Sequence, residues 1–483
     1  MKFSRYILFS AAMLALGACS EDTMDKINKN EGNPPVDAVP VRLQISDAIM
    51  GSGFTASSGD YSFYLSCLME QTIGTGNNQM SRAELRNPSE WAASSTFNNT
   101  WNGVYGNLMN IKQIIDKIEG EVPGNVGQYD ILGMAQTLWA LNFGILTDMH
   151  GDIPYSEALQ GQANMHPKLD AQADIYADIL KYFDAAIANF DTAIDAKLKN
   201  AGAQDIAYNN NCNAWKAAAY ALKARYRLHM SAVDDKAIDD ALEYALEAES
   251  LGFSDFCITT FDGISADNPW SAYYWSRYYT ASCETVLDML VANDDPRAGI
   301  YTYETGIAYP AGVAEYANES PQELVAPGWL DLGVQPIHLI SESELQFIIA
   351  ECQLRKGQNA DAAFQAGVAA AVEELVVGYW EEDCDAVAFA ESLGSATLQK
   401  VFEQKYLQQM VDNNIEAYND YRRCQAMGEE YIHLNNPMNV QSGVNRFPYR
   451  MPYANSAVLS NPNVKAAYGD GSYIYSEKMW LFK

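Results

Sequence analysis

Residues 341–377, SESELQFIIAECQLRKGQNADAAFQAGVAAAVEELVV, decide how this chain is read. Leu345, Ile348, Ile349 and Cys352 recur at i, i+3, i+4 and i+7, which gathers them into one apolar stripe on a helix of 3.6 residues per turn. Ser341 followed by Glu344 predicts a capping box, in which each side chain takes up a backbone N–H that the first turn leaves unpaired. Arg355, Lys356 and Gly357 mark the far end, because cations favour the negative pole of the helix dipole and glycine adopts the left-handed conformation that stops a helix. A second helix follows at once, with Phe364, Val368, Ala371, Val372 and Leu375 on one face. Ala362, Ala363, Ala366, Gly367 and Ala369 are small enough to let a partner approach closely. The stretch predicts a helical hairpin, and one hairpin leaves its stripe exposed unless others stack on it.

Working outward, the same pattern recurs, and the pairs have the form of tetratricopeptide hairpins. Ile131, Ala135, Leu138, Trp139, Asn142, Ile145 and Leu146 form one stripe, and Ile175, Ile179, Phe183, Ile187, Phe190 and Ile194 its partner after the loop Thr147–Ala171. Trp215, Ala218, Ala219, Leu222 and Tyr226 pair with Ile238, Leu242, Ala245 and Leu246, and Gly252 ends that helix. Helical patterns also cover residues 41–50, 61–73 and 94–118, with a polar loop at Gly74–Asn87. The last array helices are Thr397–Val411 and Ile415–Arg423. Between Phe253 and Ile340 the helical period lapses while Tyr, Trp and Pro accumulate, so this segment reads as an insertion. Residues Asn435–Lys483, rich in Asn, Pro, Gly and Tyr, read as loops and short strands wrapped on the array. The fold class is therefore mainly α: a tetratricopeptide-type hairpin array with a loop-rich aromatic insertion and an irregular C-terminal wrap.

Lys2 and Arg5 precede the apolar run Tyr6–Ala18, too short to span a bilayer and suited to a signal-peptide core. The run ends in Leu16-Gly17-Ala18-Cys19, which has the form of a lipobox with Cys19 as the acylated new N-terminus. The competing reading is a plain signal peptide with a chance cysteine, although plain cleavage needs no cysteine there. Acyl chains on Cys19 would anchor the protein to a membrane without spanning it. No later stretch has the roughly 18 consecutive apolar residues of a transmembrane helix. Residues 1–18 are thus expected as signal, 19–40 as a lipidated linker rich in Asn and Pro, and 41–483 as one domain with its insertion at about 253–340.

With 31 basic and 62 acidic residues the formal charge is −31, which excludes nucleic acid as a partner. Of the 8 cysteines, seven remain after Cys19, with no C-x-x-C pair and no zinc-ligand spacing. Cys352 falls on an apolar stripe, where a free buried thiol is the expectation. The 5 histidines are scattered, and no H-E-x-x-H, G-x-S-x-G or P-loop string occurs, so no enzymatic motif is present. No cofactor is expected; a structural calcium, with no EF-hand loop to hold it, would rest on scattered oxygens.

Four strings occur in order behind the lipobox: Gly151-Asp152-Ile153-Pro154-Tyr155-Ser156-Glu157-Ala158-Leu159, Ser343-Glu344-Leu345 leading to Ala350-Glu351, Glu416-Ala417-Tyr418-Asn419-Asp420-Tyr421-Arg422-Arg423, and Arg446-Phe447-Pro448-Tyr449-Arg450. Together they resemble the SusD/RagB family of nutrient-binding outer-membrane lipoproteins over essentially the whole mature chain. The resemblance implies a single helical domain, a SusC-like TonB-dependent barrel transporter as partner, and capture of glycans or, in some members, peptides. Ser20-Glu21-Asp22 resembles the acidic surface-export signal of Bacteroidetes lipoproteins and reads equally as the start of a solvated linker. The motif residues have structural readings of their own: Glu344 as a cap, Glu351 paired with Arg422 or Arg423, and Asp152–Tyr155 as a rigid turn fixed by Pro154.

Ligand contacts are expected elsewhere. Asn268–Tyr279 carries six aromatics, Trp270, Tyr273, Tyr274, Trp275, Tyr278 and Tyr279, and a sugar presents a flat C–H face that lies well on such rings. The same spacing has a core reading: Trp270, Tyr274 and Tyr278 at i, i+4 and i+8 form one helical face. If that face is buried, Tyr273 and Trp275 point outward. Trp91 is a second candidate, either ligand contact or anchor of the polar loop, and Asn77, Gln79 and Arg82 would supply polar contacts. The function expected is a lipid-anchored outer-membrane protein, facing outward by its acidic start, that binds glycans and passes them to a transporter. A peptide-binding member of the same system and a scaffold without nutrient binding are the alternatives.

Overall fold

Helical periodicity becomes helix along most of the chain. The computed structural model describes residues 38–54, 58–92 and 97–483; the signal segment, Cys19 and the linker to residue 37 lie outside the described residues. Helices α1 (Ile45–Ser52), α2 (Asp60–Leu68) and α3 (Asn98–Glu119) lead into α4 (Tyr129–His150), α5 (Gln172–Asp195), α6 (Cys212–His229) and α7 (Ala237–Ser250). The insertion contributes α8 (Pro269–Arg277) and, where the sequence showed no helical period, further helices at Glu284–Ala292, Arg297–Tyr301 and Ala314–Asn318; beyond it come α9 (Glu342–Arg355), α10 (Asp361–Val372), α11 (Leu398–Asp412) and α12 (Asn414–Ala426). From α3 to α7 each helix packs on the next; α7 packs on α9, α9 on both α10 and α11, and α12 returns to α2. Val41–Lys483 form one compact unit.

Close approach in the hairpins depends on missing side chains. A Cβ at Gly367 of α10 would lie 2.9 Å from the Phe347 ring of α9, and one at Gly133 of α4 would lie 2.7 Å from the Phe190 ring of α5. Helix α4 departs from its sequence pattern. Its stripe predicts one apolar face, yet every residue after Tyr129 is buried, because α1, α3, α5 and α6 all pack around it. Helix α10 runs on into a π-helical turn at Glu373–Tyr379. The whole Asp361–Tyr379 stretch is long and apolar enough to cross a membrane by composition, unlike the expectation for the later chain. In the fold, however, Phe364, Val368 and Val372 are fully buried within the array's core.

The capping box forms by half. Ser341 Oγ accepts the Glu344 N–H at 3.1 Å, but the Glu344 carboxylate turns away to receive Arg225 of α6 in two contacts of 2.6 Å. A buried guanidinium needs a carboxylate more than a helix start needs a second cap. This pair opens a charged seam between helices. Arg423 of α12 grips Glu351 of α9 at 2.6 and 2.7 Å and Asp420 at 2.7 Å, while Arg355 also reaches Glu351 and Lys405 reaches Asp420. Of the two expected partners for Glu351, Arg423 is the one. Arg422 instead lies 3.7 Å over the Tyr418 ring and donates to the Tyr449 and Asp148 carbonyls.

The Asp152–Tyr155 turn is structural as read. Ile153–Pro154 pair antiparallel with Leu169–Asp170, and Asp152 Oδ1 accepts the Gln172 N–H at the start of α5 at 2.9 Å. The C-terminal segment is held to the array by Met451 N–H donating to the Met149 carbonyl and Tyr418 Oη donating to the Pro448 carbonyl. Besides the short hairpin Val440–Gln441/Val444–Asn445 it contains helices Asn455–Ser460, Pro462–Tyr468 and Tyr473–Ser476, which its Asn, Pro and Gly content concealed. The seven described cysteines are free thiols.

Both ends of the insertion are fastened together: Phe256–Ile258 pair antiparallel with Ile337–Ile340. The segment therefore leaves and rejoins the array at one small ladder. The polar Gly74–Asn87 stretch is more ordered than a loop. Ile73–Gly74 pair with Thr280–Ala281 of the insertion, and Gln79–Glu84 form a short helix whose Met80 N–H is capped by Asn78 Oδ1 at 2.7 Å.

Candidate functional site: an aromatic platform on the insertion

Helix α8 starts where Asn268 Oδ1 accepts the Trp270 N–H at 2.8 Å and Pro269 occupies the first turn, where a missing N–H costs nothing. It ends at Tyr278, a non-glycine residue with φ of +55°. The face it buries is rotated by one residue from the expected one. Trp270, 2% exposed, is enclosed by Phe63 and Trp329 at 4.6 and 5.5 Å. Tyr273 stacks on Phe63 at 4.0 Å and donates its hydroxyl to Met80 Sδ at 3.2 Å. These two positions are corrections to the ligand set: Trp270 is core, and Tyr273 gives one ring face to Phe63 instead of pointing outward. On so short a helix, the position of Phe63 on α2 decides which of Tyr273 and Tyr274 turns inward.

The rotation leaves Tyr274, Trp275 and Tyr278 on the outer side. Their rings form a mutual edge-on cluster, with centroids 5.2 to 5.6 Å apart. Trp275 is 51% exposed. Two residues absent from the sequence-based set join them. Tyr303, 50% exposed and also left-handed at φ of +49°, meets Trp380 edge-on at 5.9 Å. Gly328 lies beneath this pair: a Cβ there would come 2.9 Å from Trp380 and 3.1 Å from Tyr303.

Asp331 ties the two groups of rings together. It accepts the Tyr303 hydroxyl, which raises that phenol's pKa. Burial first, and the Asp331 charge second, push the Tyr274 phenol up to about 12. Both hydroxyls are therefore neutral donors at ordinary pH. The surface offers exposed ring faces for C–H contact and phenol and carboxylate groups for hydrogen bonds, the mixture expected of a saccharide site. Tyr303 and Trp380 carried no signal in the sequence, because neither Gly nor Asn marks the Tyr303 turn and the residues meet only in the fold.

The remaining sequence-predicted residues fall beside this platform. The Gly74–Asn87 segment is joined to its end through backbone, with Thr75 N–H donating to the Tyr279 carbonyl at 3.0 Å and Thr75 Oγ1 to the Tyr278 carbonyl at 2.9 Å. Asn77 and Gln79 are exposed. Arg82 is engaged by Glu90 at 2.7 Å and by the Asn77 carbonyl at 2.7 Å. Trp91 is 2% exposed and donates its indole N–H to the Ala83 carbonyl at 2.9 Å, so it is the anchor of this segment and offers no open face.

Among the described residues one cluster has metal-ligand chemistry: Asp148, His229 and Glu416, all buried in the array. His229 Nε2 lies 2.7 Å from Glu416 and Nδ1 lies 3.3 Å from Asp148. Burial alone would lower the imidazole, but the Glu416 and Asp148 carboxylates hold it at about 9. The three side chains form a buried ion-pair triad.

Comparison with known proteins agrees with this architecture. A family model described as starch-binding and associating with the outer membrane, SusD-like, matches residues 68–454. No curated protein matches the chain. Among solved structures, a SusD/RagB family protein of Bacteroides thetaiotaomicron is 29% identical with a TM-score of 0.79, over 92% of this chain and 99% of that one. A SusD homologue from Bacteroides fragilis is 18% identical, with a TM-score of 0.68 over 92% and 100% of the two chains. A chitin-binding SusD homologue from Flavobacterium johnsoniae is 19% identical, with a TM-score of 0.67 over 91% and 98%.

Proposed function

This chain belongs to the SusD-like family, described as starch-binding and associating with the outer membrane, and from that premise we propose that it is a surface glycan-binding lipoprotein whose ligand lies on the Tyr274–Trp275–Tyr278–Tyr303–Trp380 platform. The observation that carries the reading is the half-exposure of Trp275 and Tyr303 in two neighbouring ring groups that share Asp331, since gathered aromatic surface marks a binding site where a single exposed ring does not. Binding is by stacking on these rings, with hydrogen bonds from the phenols and to Asp331. Capture occurs without turnover, since stacking and hydrogen bonds are enough to retain a sugar.

In the same reading, residues 1–18 are a signal segment, Cys19 carries lipid, residues 19–40 are a tether, and the body from residue 41 works as one domain. The lipid holds the body at the outer membrane, facing the exterior, where a TonB-dependent barrel accepts the glycan. The starch-binding description of the family and the chitin-binding relative from Flavobacterium johnsoniae favour glycan over peptide.

Calorimetric titration of the full chain in detergent, against starch, chitin and plant-wall oligosaccharides and a protein digest, tests the proposal. Saturable binding of at least one glycan, weakened about tenfold or more by Trp275→Ala, is expected, as removal of a stacking ring costs roughly 1–3 kcal/mol. Binding confined to peptides would replace the glycan reading. A companion test follows Cys19→Ala, which should release the protein from membranes into the soluble fraction.

A further inference from the structure

A cavity of about 340 Å³ opens between the helix Pro88–Trp91, the Val440–Asn445 hairpin and the segment Tyr468–Tyr475. Its lining includes Arg86, Arg446, Tyr468, Tyr475, Asp470 and one edge of Trp91. In a chain of formal charge −31, two arginines facing one cavity stand out. Arg86 is only 4% exposed and no carboxylate pairs with it among the described residues. Its Nη1 donates to the carbonyls of Ala83 and Glu84 at 3.1 and 2.9 Å, its Nη2 donates to Asn439 Oδ1, and its Nε has no partner.

Carboxylates near Arg86 are engaged elsewhere. Glu84 accepts the N–H groups of Gly74 and Gly312, each at 2.6 Å. Glu70 accepts the hydroxyl of Thr285 at 2.6 Å and the N–H groups of Asn435 and Asn436. Burial lowers the Arg86 guanidinium to about 10, as expected of a desolvated cation without a contacting anion. Arg86 is also left-handed, at φ of +56°, so strained backbone holds it in place. Across the cavity Arg446 is exposed, lies 5.5 Å over the Tyr475 ring, and makes no ion pair among the described residues. The one carboxylate of the lining, Asp470, accepts the N–H and hydroxyl of Ser472 at 2.9 and 2.6 Å.

We propose that this cavity binds the oxyanion of an acidic saccharide, a uronate carboxylate or a sugar sulfate, between Arg86 and Arg446. A buried cation lacking a counterion is costly, and the oxygens of a carboxylate or a sulfate accept guanidinium N–H groups in charge-assisted hydrogen bonds. Tyr468 and Tyr475 supply ring area beside the charge. The saccharide class rests on the glycan-binding reading; the anion site rests on the two arginines. Neutral glycans go to the platform of the insertion and acidic units to this cavity.

The test titrates the full chain in detergent with trigalacturonate, its methyl ester, a κ-carrageenan tetrasaccharide and its desulfated form. At least one acidic probe binds saturably, its uncharged counterpart binds at least about tenfold more weakly, and added salt weakens the acidic probe. Arg446→Gln, at an exposed position, reduces acidic-probe affinity about tenfold with the melting temperature unchanged. Arg86→Gln removes binding wherever that variant folds, and Trp275→Ala leaves it intact. Preference for one acidic probe tells uronate from sulfate. Absence of binding by both, equal binding of charged and uncharged forms, wild-type affinity in Arg446→Gln, or loss in Trp275→Ala each overturns the assignment. Failure of Trp275→Ala to weaken neutral glycans would sink the platform reading and leave this cavity untouched.

Discussion

Arg423 and Trp275 stand for two regions built on opposite terms. Arg423, in the helical array, is fully buried with its charge matched by Glu351 and Asp420. Trp275, on the insertion, is a large apolar ring held half in water among Tyr274 and Tyr278. The array hides what is polar and the insertion exposes what is apolar. Two of the four strings that carry the family resemblance, Ser343–Glu351 and Glu416–Arg423, fall in the first region, and the proposed ligand surface falls mostly in the second, with Trp380 joining it from the end of the α10 extension. A repeated packing device fixes the scaffold, and an insertion that leaves and rejoins it at one ladder is free to carry a different surface.

The contrast is broken most severely in the array. Arg423→Ala leaves the Glu351 and Asp420 carboxylates buried without their main partner, and should cost about 3–5 kcal/mol in urea unfolding. A loss below about 1 kcal/mol would show that the seam does not carry the array. Next in size, Gly367→Ala drives a Cβ into Phe347 and should cost about 1–3 kcal/mol by the same measurement; an unchanged midpoint would show that the α9–α10 hairpin has slack.

The seam also predicts a pH response. The carboxylates of Glu416 and Asp148 hold His229 at about 9, above its ordinary 6.5, against the lowering effect of burial. Stability from the charged imidazole is complete below about pH 6.5 and is lost as pH rises from 6.5 through about 9. Urea midpoints measured from about pH 6 to pH 10 should fall in the wild type and fall less steeply in His229→Gln, which starts lower. Parallel curves would remove His229 as the cause. The smallest stability effect belongs to Trp275→Ala, expected within about 0.5 kcal/mol of wild type since its ring is half exposed.

Much of the array was legible in the sequence because burial and helical period coincide there. The stripe Leu345, Ile348, Ile349 and Cys352 is buried as spaced, and the insertion read as Phe253–Ile340 is closed by the ladder of Phe256–Ile258 with Ile337–Ile340. Glu344 was half legible: the cap at Ser341 is local, whereas the claim of Arg225 on its carboxylate comes from a helix more than a hundred residues earlier. Of the proposed platform, Tyr274, Trp275 and Tyr278 were named from the sequence, with Tyr274 and Tyr278 on the face that also read as core. A nine-residue helix does not define its own inner face, so Phe63 placed Trp270 and Tyr273 inside. Tyr303, Trp380 and Asp331 share no local pattern with Trp275 and come together through Gly328 and the fold of the insertion. Arg86 drew no reading within the Gly74–Asn87 segment, because its burial and missing counterion exist only in three dimensions.

The most direct test of the division between scaffold and ligand surface is one paired measurement on Trp275→Ala/Tyr303→Ala: affinity for maltoheptaose and chitohexaose by calorimetry, and melting temperature on the same sample. The account predicts binding of at least one of these sugars by the wild type, weakened more than about tenfold in the double variant, with melting changed by no more than a few degrees. Wild-type affinity in the double variant, or a collapse in melting temperature, would contradict it.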